Sequence, residues 1–110
     1  MGKLVLVGTP IGNLADISPR TKDTLALADV VAAEDTRHSG LLLQHLGLKK
    51  PLISYYQHNR KEREDLLLRH LAAGETVALV TDAGMPAVSD PGWEIVAAAA
   101  AAGHEVDGIP

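Results

Sequence analysis

The sequence predicts one α/β domain built on a doubly wound, parallel, five-stranded sheet with helices on both faces. Two observations support this prediction. Short, continuous apolar runs alternate with longer amphipathic segments, and Gly, Pro or Asn marks most boundaries between them. A chain of 110 residues also has room for a single hydrophobic core. We therefore interpret the chain as five strands connected by four helices.

The first strand and helix are predicted from an apolar run and a capping signal. Residues 3–8 contain an uninterrupted apolar stretch, which is typical of a strand covered on both faces. The first helix is expected to begin at Ser18-Pro19, because serine caps helix N-termini and proline fits the first helical turn. It is expected to run to about Ala28, with Leu25 and Ala28 facing the sheet.

The second and third strands are predicted over residues 30–33 and 52–55, which are short apolar runs. A short helix between them is expected to end at Gly47, because glycine tolerates the left-handed conformation common at helix C-termini. The leucines that this interpretation places on the helix include Leu41, Leu42 and Leu46.

The third helix is predicted from Asn59, which is followed three residues later by Glu62 in the spacing of a capping box. Asp65 and Arg69 are spaced for an ion pair in the favourable order. The apolar face of this helix is predicted to hold Leu67, Leu68 and Leu71. Its basic residues are interpreted as a solvated face: Arg60, Lys61 and Arg63.

The last part of the chain is predicted as strand, loop, helix and strand. Residues 77–80 read as a strand buried on both faces, and the chain restarts as a helix at Asp90-Pro91. The helix over residues 93–102 is rich in alanine, the best helix former, and is expected to end at Gly103. Residues 105–109 complete the sheet.

Composition restricts the class of protein. The chain has no cysteine, so disulfides and thiolate metal sites are excluded, and we expect no metal centre. The first apolar run is too short for a signal peptide or a membrane span, which favours a cytoplasmic protein. A net charge of −4 provides no overall basic footprint, so any nucleic acid would have to contact local basic groups.

A ligand site is predicted where the strands end. Polar residues follow the second, third and fourth strands, and ligands of open parallel sheets bind outside the carboxyl ends of the strands. Asp82 follows the fourth strand directly. It either accepts hydrogen bonds from amides of its own loop or faces a ligand. Asp90 is interpreted as the N-cap of the following helix.

Two further groups of polar residues leave alternatives open. After the second strand, Asp35 and Arg37 form either a surface ion pair beside an N-capping Thr36 or part of a site. After the third strand, His58 is either a solvent-facing or capping histidine or a proton-transfer group. Fingerprints of dinucleotide-binding, P-loop, zinc-protease and serine-hydrolase sites are absent from the sequence.

Three segments, in the right order, resemble one known family, and the resemblance extends over almost the whole chain. They are residues 9–17, residues 33–38 and residues 81–92. They are similar to signature blocks of the bacterial small-subunit ribosomal RNA cytidine 2′-O-methyltransferases of the tetrapyrrole-methylase superfamily. The resemblance implies S-adenosylmethionine as methyl donor and a cytidine ribose 2′-hydroxyl as acceptor. It also implies a homodimer, with a second domain that completes the cofactor site beyond residues 1–110.

The resemblance carries residue roles onto this sequence. It implies that the cofactor contacts Pro10, Ile11, Gly12, Asp82, Ala83, Gly84, Met85 and Pro86. For the reaction, Asp35 and His58 are the two candidates for a general base, and Arg37 is the candidate for orienting an RNA phosphate. The lobe alone is expected to be inactive. A methylase of a small tetrapyrrole and a receiver-like signalling module are the alternatives.

Overall fold

The computed structural model describes residues 1–8, 17–55, 59–81 and 91–109. The strands are β1 (Lys3–Gly8), β2 (Val30–Ala33), β3 (Leu52–Ser54), β4 (Thr76–Thr81) and β5 (Glu105–Ile109). The helices are α1 (Pro19–Leu27), α2 (Thr36–His45), α3 (Arg60–Ala72) and α4 (Pro91–Ala101). The five strands form one sheet in the order β3-β2-β4-β1-β5, and all their pairings are parallel.

The sheet is doubly wound, as predicted. The connections from β1 to β2 and from β2 to β3 step toward the β3 edge, whereas the next two connections step toward the β5 edge. The reversal assigns the helices to opposite faces. Leucines of α1 and α2 pack with alternate residues of β1, β2 and β4, and apolar residues of α3 and α4 pack on the other set. Both sheet faces are therefore covered, which explains the continuous apolar runs of the central strands.

Most local signals act as predicted. The Ser18 hydroxyl accepts a hydrogen bond from the N–H of Thr21 at 3.2 Å and caps α1. Leu25 and Ala28 are buried against the sheet. Three glycines end helices in the left-handed conformation, with positive φ angles: Gly47, Gly74 and Gly103. β3 ends one residue earlier than predicted, and β4 extends one residue further at each end.

Two predicted interactions of α3 are wrong. Asn59 occupies the N-cap position without a side-chain capping bond, because its amide donates to the Ser54 hydroxyl at 3.0 Å. The expected Asp65–Arg69 ion pair is replaced by a 3.5 Å hydrogen bond from Arg69 Nε to the main-chain carbonyl of Asp65. The predicted cap at Asp90 lies outside the described residues. Among the helices of the described ranges, none is long and apolar enough to span a membrane.

Candidate functional site

The carboxyl ends of the inner strands lie level with one another and carry small side chains. Gly8 at the end of β1 is the register partner of Thr81 at the end of β4. Ala33 at the end of β2 is the partner of Ser54 at the end of β3. Side chains this small at the four positions would not hold a ligand away from the main chain at this edge of the sheet.

The winding of the chain marks one place along this edge. β1 and β4 are neighbours in the sheet, yet the chain leaves β1 toward α1 on one face and leaves β4 toward α4 on the other. In open α/β sheets a crevice forms at such a switch point, and ligands bind there. We call the space beyond Gly8 and Thr81 the β1/β4 crevice.

Most of the predicted site residues lie outside the described residues. This applies to His58 and to the eight positions predicted to contact a cofactor: Pro10, Ile11, Gly12, Asp82, Ala83, Gly84, Met85 and Pro86. In the sequence these two segments begin within two residues of Gly8 and directly after Thr81, the register partners that define the crevice. Their roles stay predictions.

Asp35 has a clear local role. Its Oδ1 accepts hydrogen bonds from the N–H of Arg37 at 3.0 Å and of His38 at 3.4 Å, so Asp35 is the N-cap of α2. The expectation that Thr36 caps this helix is wrong, since Thr36 is already its first helical residue. An aspartate at this position satisfies free N–H groups and also complements the positive end of the helix dipole.

Arg37 and Asp35 form the predicted ion pair, but a loose one. Arg37 Nε lies 3.8 Å from Asp35 Oδ1, and the Arg37 side chain is 93% exposed. An exposed pair at this distance contributes little to stability. The guanidinium is therefore available to another partner at the carboxyl end of β2.

The basic residues of the first turn of α3 do not form a uniformly solvated face, contrary to the prediction. Arg60 bonds to Glu94 of α4, with an N–O distance of 3.2 Å, and links the two helices of that face. Arg63 lies over the edge strand, and its Nε atom is buried with no hydrogen-bond partner in the described part of the chain. Only Lys61 fits the predicted solvated face, since it is exposed.

A buried tyrosine lies between α3 and α4. Burial raises the pKa of the Tyr55 hydroxyl, and the nearby carboxylates of Glu64 and Glu94 raise it further. Burial, followed by the neighbouring Glu94, also raises the pKa of Glu64. The Tyr55 hydroxyl interacts with the main-chain N–H of Ile95 in α4. Tyr55 therefore remains protonated and joins the end of β3 to α4, the helix that follows residues 82–90 in the chain.

Sequence reasoning missed Arg63 and Tyr55, although the sequence contains a signal for each. Arg63 precedes Leu67 by four residues and Leu71 by eight, so the buried stripe of α3 begins with an arginine. Tyr55 continues the apolar run of β3 and reads as part of that strand. The structure instead places it just beyond the strand, where its ring is 1% exposed.

Comparison with known proteins identifies the family of this fold. A profile of the tetrapyrrole (corrin/porphyrin) methylases matches residues 3–110. The chain belongs to this methylase family. The resemblance of the three sequence segments is thereby confirmed at the family level, and the receiver-like alternative is not favoured.

Two curated relatives of this tetrapyrrole methylase chain are named ribosomal RNA small subunit methyltransferase I. The Synechocystis protein is 56% identical over 110 residues, covering 100% of this chain and 39% of the relative. The Thermotoga maritima protein is 49% identical, covering 100% of this chain and 50% of the relative. The chain therefore spans half or less of the length of these two relatives.

A solved structure supports the fold. Uroporphyrin-III-C-methyltransferase from Thermus thermophilus matches with a TM-score of 0.76 at 26% identity, over 99% of this chain and 47% of that protein. A diphthine synthase structure also gives a TM-score of 0.76, at 21% identity. The sheet order and the two-sided helical layers are thus those of tetrapyrrole methylases. Within the described ranges, no cluster of three or more side chains has the composition of a metal site.

Proposed function

We propose that this chain is the N-terminal, cofactor-binding lobe of an S-adenosylmethionine-dependent methyltransferase. Its proposed substrate is the ribose 2′-hydroxyl of a cytidine in small-subunit ribosomal RNA. The observation that carries the proposal is the switch point between β1 and β4 in a methylase sheet, because ligands of open α/β sheets bind at such a point.

The residues around the crevice fit such a cofactor. Gly8 and Thr81 have small side chains, which would let an adenosine-sized group come close to the main chain at the ends of β1 and β4. Asp82 follows β4 directly, and its carboxylate would oppose the positive charge of a sulfonium. The neighbouring residues assigned to the cofactor are small or apolar, which suits a ligand that is partly adenine and partly methionine: Pro10, Ile11, Gly12, Ala83, Gly84, Met85 and Pro86.

When bound, S-adenosylmethionine supplies an electrophilic methyl group for direct displacement by an oxygen nucleophile. The protein then contributes chiefly by positioning the acceptor, which can account for most of the rate acceleration. Asp35 and His58 remain the two candidates for accepting the 2′-hydroxyl proton. The capping bonds of Asp35 use Oδ1, so Oδ2 has no hydrogen-bond partner among the residues that the structure describes.

The relatives favour ribosomal RNA over a small tetrapyrrole as substrate. Relatives that match almost the whole chain at 46–56% identity are named ribosomal RNA methyltransferases. The uroporphyrin-III-C-methyltransferase structure is only 26% identical. We further propose that the enzyme works in the cytoplasm as a homodimer, as the family resemblance implies.

The test is methyl transfer from radiolabelled S-adenosylmethionine to purified small ribosomal subunits by the full-length protein that contains this lobe, with every variant made in that full-length protein. We expect label in the RNA, on a cytidine ribose. Removal of the base checks this position, because a methyl group on the ribose stays with the sugar. Asp35→Asn and His58→Ala should be assayed in parallel, and the true base should show a loss of about 100-fold or more. Label in a tetrapyrrole instead of RNA, or no transfer by the unmodified protein, would overturn the proposal.

A further inference from the structure

A groove runs along the outer edge of β3, at the same end of the sheet as the β1/β4 crevice. We call it the β3-edge groove. It is open to solvent and has a volume of about 470 Å³. It is lined by Thr36, Arg37, Leu52, Ile53, Ser54 and Arg63. Two of these residues carry a positive charge and none carries a negative charge, so the lining favours an anion.

Arg63 is the strongest reason to expect a ligand. The Nε–H of Arg63 is buried without an acceptor, the one such side-chain atom found in the described residues. A buried donor without a partner costs free energy, and native proteins rarely leave one unsatisfied. No carboxylate of the described residues lies within 4.0 Å of the Arg63 guanidinium, whereas Arg60 in the same turn is paired with Glu94. Because the Arg63 side chain also lines the groove, its unpaired charge is placed to attract an anion that enters there.

Arg37 provides a second charge from the opposite side of the groove. It lies in the first turn of α2, on the face of the sheet opposite to α3. Because its side chain is 93% exposed and only loosely paired with Asp35, it can turn toward the groove without giving up a strong interaction. Two arginines that converge on one groove from both faces form a common phosphate-binding arrangement.

The sheet edge itself supplies neutral donors. Pro51 and Tyr55 bond to β2 through their main-chain groups. Since alternate residues of a parallel strand bond to opposite sides, the N–H groups of Leu52 and Ser54 face away from β2, toward the groove. β3 is the outermost strand on this side of the sheet, so these groups are not used in a ladder. The hydroxyl of Thr36 adds a further hydrogen-bonding group.

The position of the groove relative to the crevice suits a polynucleotide. β3 is separated from the gap between β4 and β1 by two and a half strand spacings, or about 12 Å. An RNA strand with one ribose in the crevice would therefore carry a phosphate further along its backbone over the β3 edge.

We propose that the β3-edge groove binds a backbone phosphate of the RNA substrate, on the same strand as the nucleotide that is methylated, through Arg63 and Arg37. This inference rests on the proposed function, and it adds a specific subsite for the RNA backbone. Phosphate contacts position a nucleic acid without reading its sequence. The groove therefore sets affinity and register, and the chemistry takes place in the crevice.

The experiment uses the purified protein, a fluorescent single-stranded RNA oligonucleotide of mixed sequence, and titrations at several KCl concentrations. The logarithm of the association constant falls as the logarithm of the salt concentration rises, and removing one arginine–phosphate interaction should make this slope less steep by about 0.7. That change corresponds to about fivefold weaker binding at 0.1 M salt for Arg63→Gln or Arg37→Gln. The double variant, which leaves this phosphate without either arginine, should bind at least as weakly as the weaker single variant. Arg63→Lys, which keeps the charge but lacks the Nε donor, should retain the salt slope and bind more weakly than the unmodified protein.

Arg69→Gln is the matched control. It removes the same charge from the same helix, about 9 Å further along the axis, and Arg69 does not line the groove. Its RNA affinity should match that of the unmodified protein, and thermal unfolding should show that all variants are folded. An Arg63→Gln protein with the affinity and salt slope of the Arg69→Gln control would overturn the groove assignment.

The same variants separate failure of the groove from failure of the proposed function. With small ribosomal subunits as substrate and the full-length protein as enzyme, Arg63→Gln should raise KM and leave the affinity for S-adenosylmethionine unchanged. If the unmodified protein transfers methyl groups and KM does not respond to Arg63→Gln, the groove assignment alone is wrong. If the unmodified protein transfers no methyl group to the subunits, the proposed function is wrong, and the groove assignment as a substrate subsite is overturned with it.

Discussion

Replacing Tyr55 with alanine is expected to lower the free energy of unfolding by about 3–5 kcal/mol. The Tyr55 ring is 1% exposed and packs in the cluster that contains Leu67 of α3 and Ile95 of α4. Truncation would remove the packing of the whole ring and leave a cavity between β3 and both helices of that face. Urea denaturation of the purified protein measures the change.

Tyr55→Phe separates packing from hydrogen bonding. It keeps the ring and removes the hydroxyl, with its interaction with the Ile95 N–H, so the expected loss of stability is about 1 kcal/mol. A Tyr55→Ala protein that loses no more stability than Tyr55→Phe would contradict the packing described for this residue.

Replacing Gly2 with alanine is expected to cost about 1–3 kcal/mol, or more if the main chain cannot shift. A Cβ at this position would lie 2.4 Å from the main-chain oxygen of Leu71 at the end of α3. Gly2 cannot easily move away, because its N–H donates to His104 Nδ1 at 3.0 Å and its carbonyl accepts from the Glu105 N–H at 3.0 Å. Thermal and urea unfolding should both show the loss of stability.

Gly40→Ala is the control with the opposite sign. Gly40 lies inside α2, and a Cβ there would meet only Leu52 Cδ2, at an ordinary van der Waals distance of 3.8 Å. Alanine is a better helix former than glycine, so the protein should gain about 0.5–1 kcal/mol. If Gly2→Ala is as stable as Gly40→Ala, the close approach of the N-terminus to α3 is wrong.

The fold was predictable because its strongest determinants are local. The apolar runs of β1, β2 and β4 are continuous, and such runs are typical of strands covered on both faces. Ser18 and Gly47 mark a helix start and a helix end through side-chain and backbone chemistry that does not depend on the rest of the chain. Strand order was not predicted, since it depends on contacts between residues distant in sequence.

The wrong predictions concern side chains for which several interaction partners are possible. Asn59 has the spacing of a capping residue, but its amide bonds to Ser54, which only the folded chain brings near. Arg63 reads as a surface residue until β3 and α2 are in place beside it. The sequence predicted which edge of the sheet holds the candidate site, because the carboxyl ends of parallel strands lie at the same edge. The position of the crevice between β1 and β4 required the strand order.

Calorimetric titration of S-adenosylmethionine into the full-length protein that contains this lobe tests the central claim most directly, with Asp82→Ala and Asp23→Ala measured in parallel. Asp23 is exposed on α1, so its replacement removes the same charge away from the crevice. We predict saturable binding by the unmodified protein, about 10- to 100-fold weaker binding by Asp82→Ala, and unchanged binding by Asp23→Ala. Absence of binding by the unmodified protein, or equal affinities for the two variants, would contradict the assignment of the cofactor to the β1/β4 crevice.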